Sequence, residues 1–273
     1  MQCTSVTSLD PSIDSKHRPA QPQARGSIRQ MFEDITRFHF VGIGGIGMSG
    51  IAELLLWQGY HVSGSDQYVG PTVENLLGLG ARIEIGHRAS NLGRAEAVIY
   101  SSAINQDNPE LADARKRGIP LVHRAEMLSE LMRFKKGITI TGTHGKTTTT
   151  SMVASILLGA SLDPTVVVGA RLPEIGSNAH LGQGEYMVVE ADESDRSFLH
   201  FHPIHTLVTN IDLDHMDEYR DLKDLQETFL EHMNKTPFYG KLVACSDDPI
   251  LSRVLRNVHS PMVTYGLKSG ADI

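Results

Sequence analysis

Twice along this chain an apolar, strand-like run leads directly into a glycine-containing loop that opens a helix-like stretch. The first loop, GIGGIG, occupies residues 42–47 after the run 38–41, and the second, TGTHGKTT, occupies residues 141–148 after the run 138–140. Further strand-like runs and helix-like stretches alternate after each loop. Such alternation is typical of parallel sheets with helices on their faces. We therefore predict an α/β fold in which a Rossmann-like, parallel-sheet domain precedes a P-loop domain.

The distribution of residue types divides the 273 residues into three segments. Residues 1–36 are rich in Ser, Thr, Gln, Pro and Arg and carry few large apolar side chains, so we predict a disordered tail. Residues 37–135 form the predicted Rossmann-like domain, and residues 136–273 form the predicted P-loop domain. A short basic stretch at 133–137 is interpreted as the linker between them.

The charge and the apolar content exclude several classes of protein. Lys and Arg total 25 and Asp and Glu total 32, which gives a net charge of −7, whereas a nucleic-acid-binding protein needs a basic face. No apolar run approaches the ~20 residues of a membrane-spanning helix, and no signal segment is recognisable. Two cysteines cannot build a disulfide framework. We therefore predict a cytoplasmic protein that binds neither nucleic acid nor membranes, and the sequence does not indicate its oligomeric state.

The first loop matches the pattern G-x-G-x-x-G through Gly42, Gly44 and Gly47. In this pattern the first glycine permits a tight turn, the second lets a diphosphate approach the backbone, and the third allows close packing. Asp66 comes 19 residues after Gly47, where an acceptor for a ribose hydroxyl is expected. We predict a dinucleotide or nucleotide-diphosphate site; the alternative is a turn that only packs the following helix tightly.

The second loop is a variant P-loop, because Ile140 stands where the pattern G-x-x-x-x-G-K-[ST] requires glycine. Its Lys146 would neutralise charge on the β- and γ-phosphates of ATP, and the Thr147 hydroxyl would reach Mg²⁺. The alternative is a threonine-rich helix start with a chance lysine. The predicted ATP-binding residues are Gly142, Thr143, His144, Gly145, Lys146, Thr147 and Thr148.

Acidic side chains follow two later strand-like runs. Glu190 directly ends the apolar run 186–189, and the acidic cluster continues to Asp195. A P-loop enzyme needs a carboxylate at such a strand end to hold Mg²⁺, which prefers hard oxygen ligands. His215 lies in another acidic stretch after the run 206–209. We predict a metal role for Glu190 and His215. The alternatives are a solvated acidic turn for Glu190 and an ordinary surface or core histidine for His215.

Four segments together resemble the Mur ligases: residues 40–49, 141–147, 190–195 and 210–215, in this order. The resemblance implies a cytoplasmic enzyme of peptidoglycan precursor synthesis that uses ATP and Mg²⁺ to join an amino acid to a UDP-linked sugar acid through an acyl phosphate. The first loop looks most like that of the members that join L-alanine to UDP-N-acetylmuramate. A ligase that recycles murein tripeptide is the nearest alternative within the family.

The resemblance also assigns roles to individual residues. It implies that Lys146, His144, Glu190 and His215 take part in catalysis, and that Thr147, Glu190 and His215 hold Mg²⁺. It further implies that the first loop binds UDP rather than NAD, with the uridine and the diphosphate lying at strand ends. The residues expected to bind the UDP substrate are Gly42, Gly44, Gly45, Ile46, Gly47, Ser65, Asp66, His87, Ser101 and Ser102.

Two departures from the family pattern change what we expect. Several Mur ligases use a carbamoylated lysine in the helix after the Asp-His motif, but the predicted helix 222–234 contains only Lys223, so we expect no modified lysine. Family members also have a third domain, whereas this chain ends at Ile273 before the second domain would normally be complete. We therefore expect an inactive fragment that does not join alanine by itself.

Two functions of other classes stay open. An NAD-dependent oxidoreductase could be built on the first loop, although it would leave Lys146, Thr147 and Glu190 without a role. A regulatory P-loop protein could hydrolyse ATP as a switch, although the chain lacks the Asn-Lys-x-Asp signature of GTP switches. A ligase differs from a switch because it turns over ATP only when both other substrates are present.

Overall fold

The computed structural model of the protein describes residues 32, 34–172, 175–214, 218–268 and 270–273. Most of the predicted disordered tail, residues 1–31 and 33, lies outside the described residues. The ring of Phe32 contacts those of Phe38 and Tyr60 edge to face, with centroids 5.4 and 5.9 Å apart. Ile35 also packs against the core. Core packing therefore begins before the tail boundary predicted at residue 36.

Five parallel strands form the first sheet. They are β1 (Arg37–Val41), β2 (His61–Asp66), β3 (Arg82–Ile85), β4 (Ala97–Tyr100) and β5 (Leu121–His123), and the helices of this domain are α1 (Ile46–Trp57), α2 (Pro71–Gly78), α3 (Pro109–Arg117) and α4 (Arg124–Met132). The spatial order is β3-β2-β1-β4-β5, so the strand order reverses beside β1. Ligands of open α/β sheets bind outside the carboxyl ends of the strands at such a reversal. The first glycine loop, between β1 and α1, lies there.

Seven strands form the second sheet. They are β6 (Lys136–Thr141), β7 (Thr165–Leu172), β8 (Ser177–His180), β9 (Tyr186–Glu190), β10 (His205–Val208), β11 (Lys241–Cys245) and β12 (Met262–Tyr265), with helices α5 (Lys146–Gly159), α6 (Leu222–Met233) and α7 (Pro249–Leu255). The order is β12-β11-β10-β6-β9-β7-β8, and β8 alone pairs in an antiparallel manner, with β7. β6 again stands where the order reverses, and the P-loop follows it. The predicted α/β fold with two parallel sheets is confirmed.

The linker between the two sheets is shorter than we predicted. α4 ends at Met132, and β6 already begins at Lys136, where it pairs with Tyr186 of β9. Residues 136 and 137 therefore belong to the sheet rather than to a linker, because their backbone groups bond to a neighbouring strand. Among the helices of the described residues, none is both long and apolar enough to cross a membrane.

Helix α1 is buried between the two domains. All its residues from Met48 to Leu55 are inaccessible to solvent, which a helix packed on one side only would not show. The second domain contacts α1 through β7 and β8: the Ser177 hydroxyl donates to Glu53 Oε2 (2.9 Å), and Asn178 Nδ2 donates to the Ile46 carbonyl. Since α1 begins at the first glycine loop, these contacts fix that loop relative to the second sheet.

Candidate active site

The P-loop connects β6 to α5 and has a backbone geometry that favours glycine. Gly142 has φ +132°, and a Cβ atom there would lie 2.1 Å from Thr209 Oγ1. Gly145, with φ +81°, directly precedes Lys146, the first residue of α5. The first N–H groups of α5 have no partner within the helix, so a phosphate in this loop would meet N–H donors and the positive end of the helix dipole.

Two residues that follow β10 hold the P-loop in place. Asn210 Oδ1 accepts a hydrogen bond from the His144 N–H (2.8 Å), and Asn210 Nδ2 donates to the His144 carbonyl (2.9 Å). The Thr209 hydroxyl donates to the same carbonyl (2.7 Å), while Thr143 Oγ1 accepts from the Asp212 N–H (2.9 Å). The His144 side chain itself is exposed, with Nε2 3.4 Å from Asp212 Oδ2. Thr209 and Asn210 therefore support the loop, a role the sequence analysis did not assign.

Lys146 is paired with a buried carboxylate. Its Nζ donates to Glu193 Oε1 (2.9 Å) and Oε2 (2.8 Å), and Asp192 Oδ1 lies 3.9 Å away. Burial raises the pKa of the Glu193 carboxyl above its ordinary value, although the neighbouring Lys146 acts in the opposite direction. The Tyr219 hydroxyl donates to the Glu193 carbonyl and so fixes the backbone of the acidic loop. The sequence indicated Lys146 but not this partner.

Thr147 and Glu190 lie side by side, as the P-loop interpretation predicts for magnesium ligands. The Thr147 hydroxyl donates to Glu190 Oε1 (2.9 Å), and Glu190 Oε2 accepts from the Gly169 N–H (2.8 Å). A hydroxyl and a carboxylate are hard oxygen donors, which fit Mg²⁺. In the described part of the chain, no group of three or more His, Cys, Asp or Glu residues is arranged to hold a metal by itself. His215, predicted as a further ligand, lies outside the described residues.

The first glycine loop folds back onto the end of β2. The N–H groups of Gly42 and Ile43 donate to the Ser65 carbonyl (2.9 and 3.0 Å). The Gly44 N–H donates to Asp66 Oδ2 (2.8 Å), and a Cβ atom at Gly44 would lie 2.9 Å from the same oxygen. Asp66 therefore stabilises the loop directly. Its predicted contact with a ribose stays a prediction.

Arg124 reaches over the first glycine loop, which the sequence analysis missed. A Cβ atom at Gly47 would lie 2.6 Å from Arg124 Nη1. Arg124 is the first residue of α4, directly after β5, so it stands at the carboxyl edge of the first sheet. A cation directly after a strand is the sequence signal from which Arg124 could have been identified as a candidate site residue. Gly45 and Ile46 are exposed beside it, which leaves the outer side of the loop open to a ligand.

Of the other residues expected to bind UDP, Ser65 and His87 contact each other and Ser102 contacts the second domain. The Ser65 hydroxyl lies 2.9 Å from His87 Nδ1 and is fully buried. Ser101 and Ser102 follow β4, and the Ser102 hydroxyl donates to Asp195 Oδ2 (2.8 Å). Asp195 belongs to the acidic stretch after β9. The carboxyl edges of the two sheets therefore meet at this hydrogen bond.

Asp195 carries its charge at this meeting point. Burial by itself would raise the pKa of Asp195, but hydrogen bonds from Ser197 and Ser102 outweigh burial and hold the pKa below its ordinary value. The positive charge of Arg124 acts in the same direction. Arg124 and Lys146 thus place one positive charge beside each of the two loops, each near a carboxylate. Positive charge beside both loops suits anionic ligands.

Two family models match the chain. The model described as "Mur ligase family, catalytic domain" matches residues 37–136, and the "Mur ligase middle domain" matches residues 140–273. The two matched segments follow the division between the two sheets.

Curated relatives and solved structures agree with this match. UDP-N-acetylmuramate--L-alanine ligase of Koribacter versatilis is 57% identical over 242 residues, or 89% of this chain and 52% of the relative. That of Syntrophotalea carbinolica is 54% identical over the same length, or 53% of the relative. The chain thus spans about half the length of the curated relatives it matches.

Among solved structures, the UDP-N-acetylmuramate:L-alanyl-gamma-D-glutamyl-meso-diaminopimelate ligase of Neisseria meningitides superposes with a TM-score of 0.79 at 27% identity, covering 84% of this chain and 78% of that one. UDP-N-acetylmuramate-alanine ligase of Thermotoga maritima superposes with a TM-score of 0.76 at 34% identity, covering 85% and 53%. From the two matched models and these relatives, the chain belongs to the Mur ligase family, with the N-terminal domain on the first sheet and the middle domain on the second.

Proposed function

We propose that this chain supplies the UDP-sugar-binding and ATP-binding domains for the ATP-dependent joining of L-alanine to UDP-N-acetylmuramate, a cytoplasmic step of peptidoglycan precursor synthesis. The observation that carries the proposal is the hydrogen bond between Ser102 and Asp195, because it brings the ligand-binding edges of both sheets together. A sugar acid anchored at the first loop would then face a triphosphate anchored at the P-loop. Relatives that are 54–57% identical are named for this reaction.

The first domain would bind the UDP part of the sugar substrate. The loop from Gly44 to Gly47 leads into α1, whose N-terminal N–H groups would attract a diphosphate. The Arg124 guanidinium above Gly47 adds a positive charge that can contact phosphate oxygens in a planar, bidentate manner. Both features are typical of diphosphate binding and also suit NAD, so the identity of the nucleotide is supported by the relatives rather than by the loop.

The second domain would bind ATP. The P-loop N–H groups would surround the phosphates, and Lys146 would exchange its contact with Glu193 for one with the β- and γ-phosphates. Thr147 and Glu190 would hold Mg²⁺, together with His215 as the family resemblance implies, and the ion would offset the charge of the triphosphate. Thr148, exposed in the first turn of α5, lies within reach of the same nucleotide.

The reaction needs two anions to approach each other. A carboxylate oxygen of the sugar acid attacks the γ-phosphorus and the bond to ADP breaks, which gives an acyl phosphate. The alanine amine then attacks the acyl carbon, phosphate leaves, and the amine loses a proton. Lys146 and Arg124 would reduce the repulsion between the anions. The contacts of α1 with β7 and β8 would keep the two loops at a fixed distance and orientation.

Two alternatives receive less support. A ligase that recycles murein peptide shares the fold, as the Neisseria structure shows, but its identity to this chain is 27% against 54–57% for the alanine ligases. An NAD-dependent oxidoreductase would leave unexplained why the Thr147 hydroxyl, next to the P-loop lysine, donates to Glu190 Oε1 (2.9 Å).

Calorimetric titration of the chain with each ligand tests the proposal. We expect UDP-N-acetylmuramate and MgATP to bind together, one molecule of each. Lys146→Ala should weaken ATP binding about 10- to 100-fold, because a charge-assisted hydrogen bond contributes roughly 1.5–3 kcal/mol, and should leave the sugar nucleotide unaffected.

The matched control is Lys223→Ala, which removes an exposed lysine that forms an ion pair with Glu227 on α6. It should change neither affinity. The proposal fails if the wild-type chain binds NADH but not UDP-N-acetylmuramate, or if Lys146→Ala binds MgATP as tightly as the wild type.

A further inference from the structure

A buried hydrogen-bond network in the first domain is not explained by phosphate binding. At its centre Glu110, near the start of α3, is fully buried. Its Oε2 accepts hydrogen bonds from His39 Nε2 (3.0 Å) and the Ser65 hydroxyl (2.7 Å). Its Oε1 accepts from the Arg88 N–H (3.0 Å) and from Asn91 Nδ2 (2.7 Å). Four donors around one carboxylate compensate for its removal from water.

Through Ser65 and His87, the network extends to the carboxyl edge of the first sheet, where we propose that the substrate binds. Ser65 is the last residue but one of β2, directly before Asp66, and its carbonyl accepts the N–H groups that start the first glycine loop. Its hydroxyl lies between Glu110 and His87 Nδ1 (2.9 Å). The side chains of Ser65 and Glu110 have no exposed surface, whereas 15% of the His87 side chain is exposed. Of these three residues, His87 alone can touch a ligand.

Counting hydrogens fixes the position of the His87 proton. An ionised carboxylate has no hydrogen to give, so Ser65 must donate its single hydroxyl hydrogen to Glu110. The Ser65 oxygen can then only accept from His87, which places a hydrogen on His87 Nδ1. In a neutral imidazole the other nitrogen, Nε2, consequently carries a lone pair.

We propose that Glu110 and Ser65 are positioning residues that hold His87 in its Nδ1–H form, so that His87 Nε2 accepts a hydrogen bond from an N–H or O–H group of the substrate nucleoside. Phosphate oxygens are acceptors too and would not pair with this nitrogen. His87 therefore faces the uridine rather than the diphosphate, and Ser65 acts through His87 instead of touching the substrate. The inference rests on the proposed binding of a UDP-sugar to the first domain.

A double-mutant cycle on UDP-N-acetylmuramate affinity tests this inference, with His87→Ala, Ser65→Ala and the double variant titrated by calorimetry at pH 8. We expect each single change to weaken binding about tenfold, as for the loss of one hydrogen bond. The double variant should bind no more weakly than His87→Ala alone. A purely structural role of Ser65 would instead give additive losses, and that result overturns the inference.

Ser129→Ala is the matched control, because Ser129 is also a buried serine of the first domain, but its hydroxyl donates to the His200 carbonyl (2.8 Å) rather than to this network. It should leave the affinity unchanged. Affinity for MgATP should be the same in every variant, and failure of the wild type to bind UDP-N-acetylmuramate would contradict the proposed function rather than this inference.

The wild-type protein provides a second readout that needs no buried substitution. Long-range ¹H–¹⁵N correlation spectra distinguish the two forms of a neutral histidine ring, and the His87 signals are identified by their absence in His87→Gln. We expect the Nδ1–H form. Observation of the Nε2–H form would overturn the inference even if Ser65→Ala fails to fold.

Discussion

Lys146 and Glu193 set the charge of the proposed ATP site. The lysine contacts both oxygens of a carboxylate that is almost completely buried. A phosphate that approaches Lys146 must compete with this carboxylate and is repelled by it. Glu193 therefore neutralises the charge of Lys146 within the fold and at the same time would oppose ATP binding.

Glu193→Gln should separate these two effects. We expect the free energy of unfolding to fall by about 1–3 kcal/mol, because Lys146 loses a charged partner in a partly buried setting. ATP affinity should rise several-fold, since the competing negative charge is gone. Urea unfolding and titration with a fluorescent ATP analogue measure the two quantities.

Glu227→Gln is the corresponding control, because Glu227 is exposed and forms an ion pair with Lys223 on the surface of α6. It should alter neither quantity measurably. Weaker ATP binding by Glu193→Gln would contradict the competition and would mean that Glu193 orients Lys146 for the phosphate.

At the scale of single residues, the sequence predicted those whose roles follow from residues adjacent to them in the chain. Lys146 and Thr147 follow from a local loop pattern, and Glu190 from its position directly after an apolar strand. Arg124 and the Lys146–Glu193 contact were missed, because nothing near them in sequence shows which residue they meet. Arg124 lies opposite Gly47, which is far away along the chain.

Helix α6 brings a histidine into the core of the second domain. His232, in its last turn, is fully buried, and its ring stacks on Phe198 with centroids 4.7 Å apart. Its Nε2 lies 3.4 Å from Thr139 Oγ1. Burial lowers the pKa of His232 to about 3, and the charge of Lys235 acts in the same direction.

Stability should therefore fall in mildly acidic solution. The folded-state pKa of His232 lies below the ordinary value of 6.5, so below that pH the unfolded chain binds a proton that the folded chain does not. We expect the free energy of unfolding to fall as the pH drops from 6.5 towards 3, by up to about 1.4 kcal/mol per pH unit from this group. Urea unfolding at pH 7, 6 and 5 measures the slope.

His232→Gln should make that slope shallower, although it will also lower the stability at pH 7. His259→Gln, which changes an exposed histidine after α7, should leave the slope as in the wild type. An unchanged slope in His232→Gln would show that other groups, such as the half-buried His123 whose pKa is lowered by burial, are responsible.

The strand-like runs 38–41, 138–140, 186–189 and 206–209 and the predicted helix 222–234 match β1, β6, β9, β10 and α6 within two residues. Helices α2, α4 and α7 were given no bounds; each is short, at 8, 9 and 7 residues, so its periodic pattern covers only about two turns. Strand β8 was missed as well, because its four residues, SNAH, lack an apolar alternation. It forms by pairing with β7, which a local pattern does not reveal.

The relative position of the two domains depends on how closely α1 approaches the second sheet. Gly50 faces the second sheet at close range: a Cβ atom there would be 3.4 Å from Ala179 Cβ and from Val167 Cγ1. A larger side chain would push α1 away from β7 and β8. It would thereby move the first glycine loop relative to the P-loop.

Gly50→Leu should lower the free energy of unfolding by about 1–3 kcal/mol through overpacking. We also expect it to weaken cooperation between the two ligands, seen as loss of any change in MgATP affinity upon addition of UDP-N-acetylmuramate. The control is Gly78→Leu, at the end of α2, where a Cβ atom would meet nothing within 4 Å. Wild-type stability in Gly50→Leu would show that this contact does not hold the domains together.

The sequence alone determined the alternation of strands and helices, the two glycine loops and the family, because each depends on residues adjacent in the chain. Only the tertiary structure decided which side chains distant in the chain meet each other. The Ser102–Asp195 hydrogen bond joins residues 93 positions apart, and the Ser65–Glu110 bond joins residues 45 apart. Their geometry follows from how strands pair and helices pack, and a local pattern carries no record of that pairing.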